Sequence, residues 1–323
     1  WAVSARRRGD ETGKGVMPRR LLALIALLIS PTVVASCGSD SEPAGIYVAD
    51  VMGDGAVSVI DPESGDIRVV EFQDSDAGDR SFAWSPDGQW VAYRNFCCSG
   101  GRSELWTMDS DGSNRHQLTF DESPGSFSWL SDGRRIVYGT PLGSSEYRVA
   151  VVDDGGVRLF FDREGMLGGL TVSPNGQLVV FNVKGEGRQV GDLWLGGNEI
   201  WTANVDGSNE RLLVADVEGA NGAGIQLSWS PNGEYIAFVR SLEADQPHWK
   251  SDIFLVRTDG TGLRQLTKRL GDHTSPTWSP DNKRIAFNYT TGFEDTDMQV
   301  WIMNADGTDK RFLGQYGWLT TWR

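Results

Sequence analysis

Few side chains in this chain combine the types and the spacing that chemistry requires. Histidine occurs three times, at His116, His248 and His273, and no two show the His-x-x-x-His spacing that aims both rings at one zinc ion. His248 and His273 could converge from neighbouring units, but two ligands make a thin metal site, so no metal and no cofactor are expected. The carboxylates Asp245, Glu294 and Asp295 lie in irregular segments; two of them about 5–10 Å apart would supply the acid and base of polysaccharide cleavage. No Gly-x-Ser-x-Gly elbow offers a nucleophilic serine. Binding chemistry is better represented. Trp194, Trp249 and Phe293 stand in Gly-rich or charged segments, which suits stacking on a sugar or anchoring a protein contact. With Phe96, Arg102, Lys184, Arg188, Lys250, His273 and Asp295 they form the candidate ligand- or partner-binding set.

The elements that must hold these residues are set by a repeated phrase. It reads Trp84-Ser85-Pro86-Asp87-Gly88, followed by the apolar run Val91-Ala92-Tyr93. Further copies start at Trp129, Val172, Trp229 and Trp278, and a last one begins at Trp322, at intervals of 45, 43, 57, 49 and 44 residues. A period of this size with strand-like contents marks a β-propeller, one blade per repeat.

Each unit parses into four strands. In the one beginning near Trp278, Pro280-Asp281-Asn282 carries turn chemistry, because Pro presets φ and Asp or Asn bonds back to the backbone. Arg284 to Asn288 is a second strand, Val300 to Met303 a third and Lys310 to Leu313 a fourth, with Asn304-Ala305-Asp306-Gly307 as a hairpin turn between the last two. Asp109-Ser110-Asp111-Gly112-Ser113-Asn114 has the flavour of a calcium loop but lacks its distal Glu, and it falls where every unit has this turn. The Trp series is expected to fill the space between blades.

Ahead of the five complete units lie three strands without a first: Ile46 to Asp50, Val57 to Asp61 and Ile67 to Phe72. Trp318-Leu319-Thr320-Thr321-Trp322 reads as a lone first strand. Together they predict a sixth blade that joins the two ends and removes free sheet edges. The fold class is therefore all-β, a six-bladed propeller of four-stranded antiparallel blades over residues 46–323.

Strand direction alternates within a blade, so connections sort onto two faces. The Ser-Pro-Asp-Gly and Asp-Gly turns share one face. The longer segments Asn95 to Arg102, Lys184 to Asn198, Leu242 to Ser251, Thr290 to Thr296, Asp216 to Gly224 and Arg269 to Ser275 share the other. Variable loops on a rigid scaffold are where binding usually sits, so the site is expected there and at the mouth of the central channel.

The front of the chain is separate. Arg19-Arg20, the apolar stretch from Leu21 to Ile29 and the small residues up to Ser36 have the layout of a secretory signal. Val34-Ala35-Ser36-Cys37 resembles the bacterial lipobox, which implies lipidation of Cys37. Residues 1–16 are expected to be an over-extended reading frame, 17–36 a lipoprotein signal peptide and 37–45 a tether; Gly38-Ser39, without an Asp retention signal, fits outer-membrane sorting in an organism with two membranes, the alternative being the outer face of the plasma membrane. Removing residues 1–36 leaves 24 basic and 42 acidic side chains, a net charge of −18. Such acidity argues against nucleic acid as a partner. The adjacent Cys97 and Cys98 could form a vicinal disulfide in an exported compartment.

The phrase x-Trp-Ser-Pro-Asp-Gly-x-x-Ile-Ala-Phe, a Trp strand, then Asp-Gly and a Leu-Thr ending resembles the TolB-type repeat, also called WD40-like or PD40. The resemblance covers residues 46–323 and implies the propeller. It implies less about function, because the same repeat occurs in peptidase propellers and in many bacterial surface proteins. Blade two lacks the Pro, at Leu130-Ser131-Asp132-Gly133, blade three has Val172 for Trp, and Asn282 replaces Gly. Only a short tether precedes Ile46, where TolB carries an α/β domain, so the partners of the Tol system are not carried over. No hydrolase domain is expected after Arg323. The expected function is a lipid-anchored, non-catalytic binding module of the cell envelope, for a protein or a glycan. The alternative is a polysaccharide-acting enzyme using the loop carboxylates.

Overall fold

The computed structural model describes residues 45–49, 56–64, 66–71, 82–97, 102–120, 122–143, 146–153, 155–184, 188–190, 193–195, 197–217, 225–241, 251–268, 271–291 and 298–323. Among these residues every regular element is a strand, and no helix is long and apolar enough to cross a membrane. Six four-stranded antiparallel sheets follow one another along the chain.

Blade 1 comprises Phe82–Trp84, Trp90–Cys97, Arg102–Asp109 and His116–Gln117. Blade 2 comprises Phe127–Trp129, Ile136–Pro141, Glu146–Asp153 and Gly156–Glu164. Blade 3 is Met166–Val172, Leu178–Lys184, Asn198–Asn204 and Arg211–Val217. Blade 4 is Leu227–Trp229, Tyr235–Ser241, Ser251–Arg257 and Arg264–Gln265. Blade 5 is Asp272–Trp278, Arg284–Thr290, Gln299–Asn304 and Arg311–Tyr316. Blade 6 takes Trp318–Trp322 as its innermost strand beside Ile46–Ala49, Ala56–Ile60 and Ile67–Glu71. The two ends are thus hydrogen-bonded, and Gly45 and Arg323 exchange backbone bonds of 2.8 and 2.9 Å.

One hydrophobic cluster occupies each of the six blade boundaries. Trp84, Trp129, Val172, Trp229, Trp278 and Trp322 are all buried in these clusters. The bulk of the repeated phrase therefore stabilises blade against blade by removing apolar area from water.

Its polar part closes turns. Ser85 Oγ donates to Asp87 Oδ1 (2.6 Å) and accepts from Trp90 N (3.0 Å), while Gly88 takes a φ of 73° that a Cβ would oppose. Ser173 and Asn175, Ser230 and Asn232, and Ser279 and Asp281 repeat the pattern. Blade 2 lacks the serine and compensates through Asp132, which accepts from the backbone of Arg134 and Arg135. Asn282 holds the left-handed position at φ 62°, a role that asparagine tolerates better than most residues.

Neighbouring turns also touch. A Cβ on Gly133 would meet the Asp87 carboxylate, one on Gly176 would meet Ser131, and Asn232 N donates to Asn282 Oδ1 (2.8 Å). These contacts link the turns of blades 1 and 2, 2 and 3, and 4 and 5.

Candidate functional site

Among the described residues, the turn aspartates are held in local hydrogen bonds. Asp111, Asp206, Asp259 and Asp306 each accept from the Ser or Thr two residues later, and those hydroxyls hold the carboxyls below the usual range. Asp109 binds Asn114 Nδ2 at 2.6 Å, so the segment with calcium-loop flavour is a hydrogen-bonded turn. The candidates read from the sequence belong to the opposite, loop face.

The candidate residues there fare unequally. Cys37, Cys98, Trp249, Lys250, Phe293 and Asp295 lie outside the described residues, as do Asp245, Glu294 and His248. Phe96 and Cys97 end one strand of blade 1, and Arg102 begins the next, so pairing shortens a segment expected to be loop. Lys184 is exposed at the end of its strand. Arg188–Val190 and Leu193–Leu195, which contain Arg188 and Trp194, form a two-stranded hairpin inserted into blade 3, where only loop was expected.

His273 requires a correction. Sequence places it in an exposed connection; it lies instead in the innermost strand of blade 5, 1% exposed. The strand starts at Asp272 because Asp272, His273 and Thr274 pair with Thr290, Tyr289 and Asn288. His273 Nδ1 lies 3.0 Å from Asp252 Oδ1 and 3.1 Å from the Ser251 carbonyl oxygen. Both neighbours are acceptors, so Nδ1 carries the hydrogen.

Asp252, which sequence reasoning missed, is the hub of this boundary. It is buried and also accepts from Thr267 Oγ1 (2.6 Å) and Gln265 Nε2 (2.8 Å). Thr267 Oγ1 in turn accepts from Ile253 N at 2.9 Å. Ser251 donates from N and Oγ to Asp272 Oδ1, at 3.0 and 3.1 Å. Burial pushes the Asp272 carboxyl above its ordinary value, against the pull of those bonds.

Blades 1 and 2 meet through the same parts. Thr119 Oγ1 donates to Glu104 Oε2 (2.8 Å) and accepts from Leu105 N (2.9 Å), and Ser103 Oγ donates to the Pro124 carbonyl (3.3 Å). The Leu-Thr ending explains itself here. In blades 1 and 4 the outermost strand is only two residues long, and the threonine hydroxyl takes up the backbone N–H that a longer strand would have bonded. A signal was present: Ser-Glu at 103–104 and Ser-Asp at 251–252 each pair with a Leu-Thr some fifteen residues on.

No family model matches the chain. Among curated proteins, dipeptidyl-peptidase 5 of Porphyromonas gingivalis is 35% identical over 247 residues, 64% of this chain and 36% of the peptidase. A TolB homolog of Chlorobium luteolum is 43% identical over 67 residues, 21% of this chain and 14% of that protein. The chain therefore spans well under two thirds of these relatives' lengths. In structure it is similar to TolB from Acinetobacter baumannii (TM-score 0.61, 16% identity, 86% of this chain and 65% of that one). A structure attributed to TolB of Agrobacterium tumefaciens is as similar (TM-score 0.61, 18% identity, 81% and 89%). An oligogalacturonate lyase in complex with manganese follows (TM-score 0.52, 16% identity, 83% and 77%). At these identities the likeness shows the fold: the chain has the TolB-type six-bladed propeller that its repeats imply.

Proposed function

We propose that this chain is an exported, lipid-anchored propeller that binds a protein or glycan of the cell envelope without chemistry. The observation that carries this reading is the division between faces. Among the described residues, the turns of the repeated phrase are short and their side chains bond within the turn, while the second and third strands of blade 3 are joined by way of an inserted hairpin. The TolB-named neighbours support a binding role on this scaffold. Residues 17–36 would direct export, Cys37 would carry the lipid and 37–45 would tether the ring to the membrane surface. The binding set would be Phe96, Arg102, Lys184, Arg188, Trp194, Trp249, Lys250, Phe293 and Asp295.

A pull-down from the cell envelope with the Cys37-anchored protein tests this. An envelope component should be enriched over a control with scrambled loops; no enrichment overturns the reading. Labelling with a fatty-acid analogue should mark the parent and spare Cys37→Ala, and equal labelling would remove the anchor.

The lyase neighbour favours a second reading, an enzyme on polysaccharide using Asp245, Glu294 or Asp295. Turnover of polygalacturonate that disappears in the triple carboxamide variant would establish it, and turnover unaffected by that variant would remove those residues.

A further inference from the structure

We propose that the turn face of the ring lies against the surface of the bilayer that anchors the chain, so that the loop face points away from that membrane. This deepens the binding-module reading and rests on its lipid anchor. It says from which side a partner arrives: from the aqueous side, not from within the anchoring leaflet.

The geometry follows from where the chain enters the ring. Innermost strands end at the turn face, because the turn of the repeated phrase follows each of them, and Trp322 holds in blade 6 the place that Trp84 holds in blade 1. Ile46 pairs with Trp322, and Gly45 exchanges backbone bonds with Arg323, so Gly45 is fixed at the turn end of its sheet. The entry is closely packed, since a Cβ on Gly45 would meet Val59 and the Ile60 carbonyl oxygen. Eight residue steps separate Cys37 from Gly45 in the sequence, and a stretch of that length reaches at most about 26–29 Å. A lipid on Cys37 would keep the turn face within that reach of the membrane surface.

The rim of the turn face has the composition of an interfacial surface. Among the described residues each blade exposes a large apolar side chain there: Ile67, Trp90, Val157, Leu212, Leu263 and Phe312. Every one stands at the turn end of a strand or within one residue of it. At the loop ends the described residues of this kind are Phe120, Leu142 and Tyr316, and blades 3, 4 and 6 have none.

Arginines interleave with this rim. Arg211, Arg264 and Arg311 each donate to a carbonyl oxygen in the turn of the next blade, at Thr258 (2.5 Å), Ala305 (3.3 Å) and Pro62 (2.6 Å). Asp259 and Asp306, held below the usual carboxylate range first by Thr261 and Thr308, also feel the charges of Arg211 and Arg264. The rim therefore sets apolar side chains among charges of both signs. A zwitterionic headgroup layer offers the matching order, with phosphates for the arginines, ammonium groups for the aspartates and acyl carbons beneath for the apolar side chains. A strongly anionic surface fits less well, because the chain from Cys37 onward carries a net charge of −18. Weak contacts suffice, since the tether makes them intramolecular.

The protein with Cys37 intact, reconstituted in vesicles of phosphatidylethanolamine and phosphatidylcholine, tests the orientation. In a Cys97→Ser, Cys98→Ser background, Leu263→Cys on the turn face and Leu142→Cys on the loop face each carry a fluorescent label that brominated lipids quench by contact. The label at 263 is expected to be quenched about threefold more than the label at 142, as an interfacial contact requires. Val157→Glu with Leu212→Glu should shrink that difference without shifting the melting temperature. Equal quenching of the two labels, stronger quenching at 142, or a double variant that quenches as the parent does would overturn the proposal. Mass spectrometry of the same sample separates the two claims. An acylated Cys37 with equal quenching removes the orientation alone, and an unacylated Cys37 removes the anchor and the orientation with it.

Discussion

The boundary between blades 1 and 2 and the boundary between blades 4 and 5 start from one plan and end differently. Both have a two-residue outermost strand, a serine bonded to the next blade's backbone, and a buried acid bonded to the threonine of a Leu-Thr ending. At the first, the next blade supplies Pro124, which has no side-chain donor, and Tyr138 donates to Glu122 at 2.5 Å. Burial and then that carboxylate push the Tyr138 phenol far above its ordinary range. At the second, the next blade supplies His273, which reaches the acid itself, and an aromatic chain runs outward from it. The shared parts are structural, since they satisfy backbone groups that a short strand leaves over. The parts that differ are the side chains that the next blade turns toward the buried acid.

The largest effect should come from removing what both boundaries depend on. Deleting residues 318–323 takes away the innermost strand of blade 6, with buried Leu319 and Trp322, and leaves Ile46–Ala49 as an unpaired sheet edge. Against a total stability of about 5–15 kcal/mol, that loss is expected to abolish cooperative melting by circular dichroism. A variant that still melts sharply would mean that the ring does not need its closure.

Next, Asp252→Ala and Glu104→Ala break the two hubs. Asp252 holds Thr267, Gln265 and the His273 ring, so its loss strands several buried partners and is expected to cost about 3–5 kcal/mol in urea unfolding. For Glu104, bonded to Thr119, about 1–3 kcal/mol is expected. Equal losses would erase the proposed difference between the boundaries. Smaller still, Thr119→Val and Thr267→Val each keep the shape and remove one hydroxyl that bridges a backbone N–H to a carboxylate. Each is expected to cost about 1–2 kcal/mol, and the two should match, because this part of the plan is common to both.

Most of this scaffold was legible in sequence, and the reason is repetition. Five spaced copies of a turn with fixed φ requirements, each followed by an apolar run, leave little freedom in blade count or strand order. The Trp318–Trp322 closure followed from counting alone. His273 was misplaced because Asp272-His273-Thr274 looks like a polar connection, and only pairing with Asn288 to Thr290 makes it strand. The hairpin at 188–195 was missed because each arm is three residues long, too short for periodicity to register. Trp301 and Phe312 were placed only as members of the third and fourth strands of their unit, and Tyr316 was given no role.

The finest distinction between the boundaries is one of pH. At blades 4 and 5, Asp272 sits where the first boundary has Ser123, by the matching bonds from Ser251 and Ser103 to the residues that follow them. Burial raises the Asp272 carboxyl above its unfolded value, so the folded state holds its proton more tightly than the unfolded chain does. The stabilising contribution is then complete below the unfolded aspartate value of about 3.9 and is lost as pH rises through the raised folded value. Asp272→Asn keeps an oxygen to accept from Ser251 N and Oγ and removes the titration. The variant should melt higher than the parent above that window, and the two curves should converge below it. The turn aspartates work with the opposite sign, because Asp206, Asp259 and Asp306 are held below their unfolded values by hydroxyl donors and lose their contribution as pH falls. Melting temperature followed from pH 3 to pH 8 in the parent, Asp272→Asn and Asp306→Asn therefore separates the two faces: the first variant should gain at the upper end, and the second should lose there. A gain in both would mean that burial at the blade boundary is not what sets the Asp272 proton.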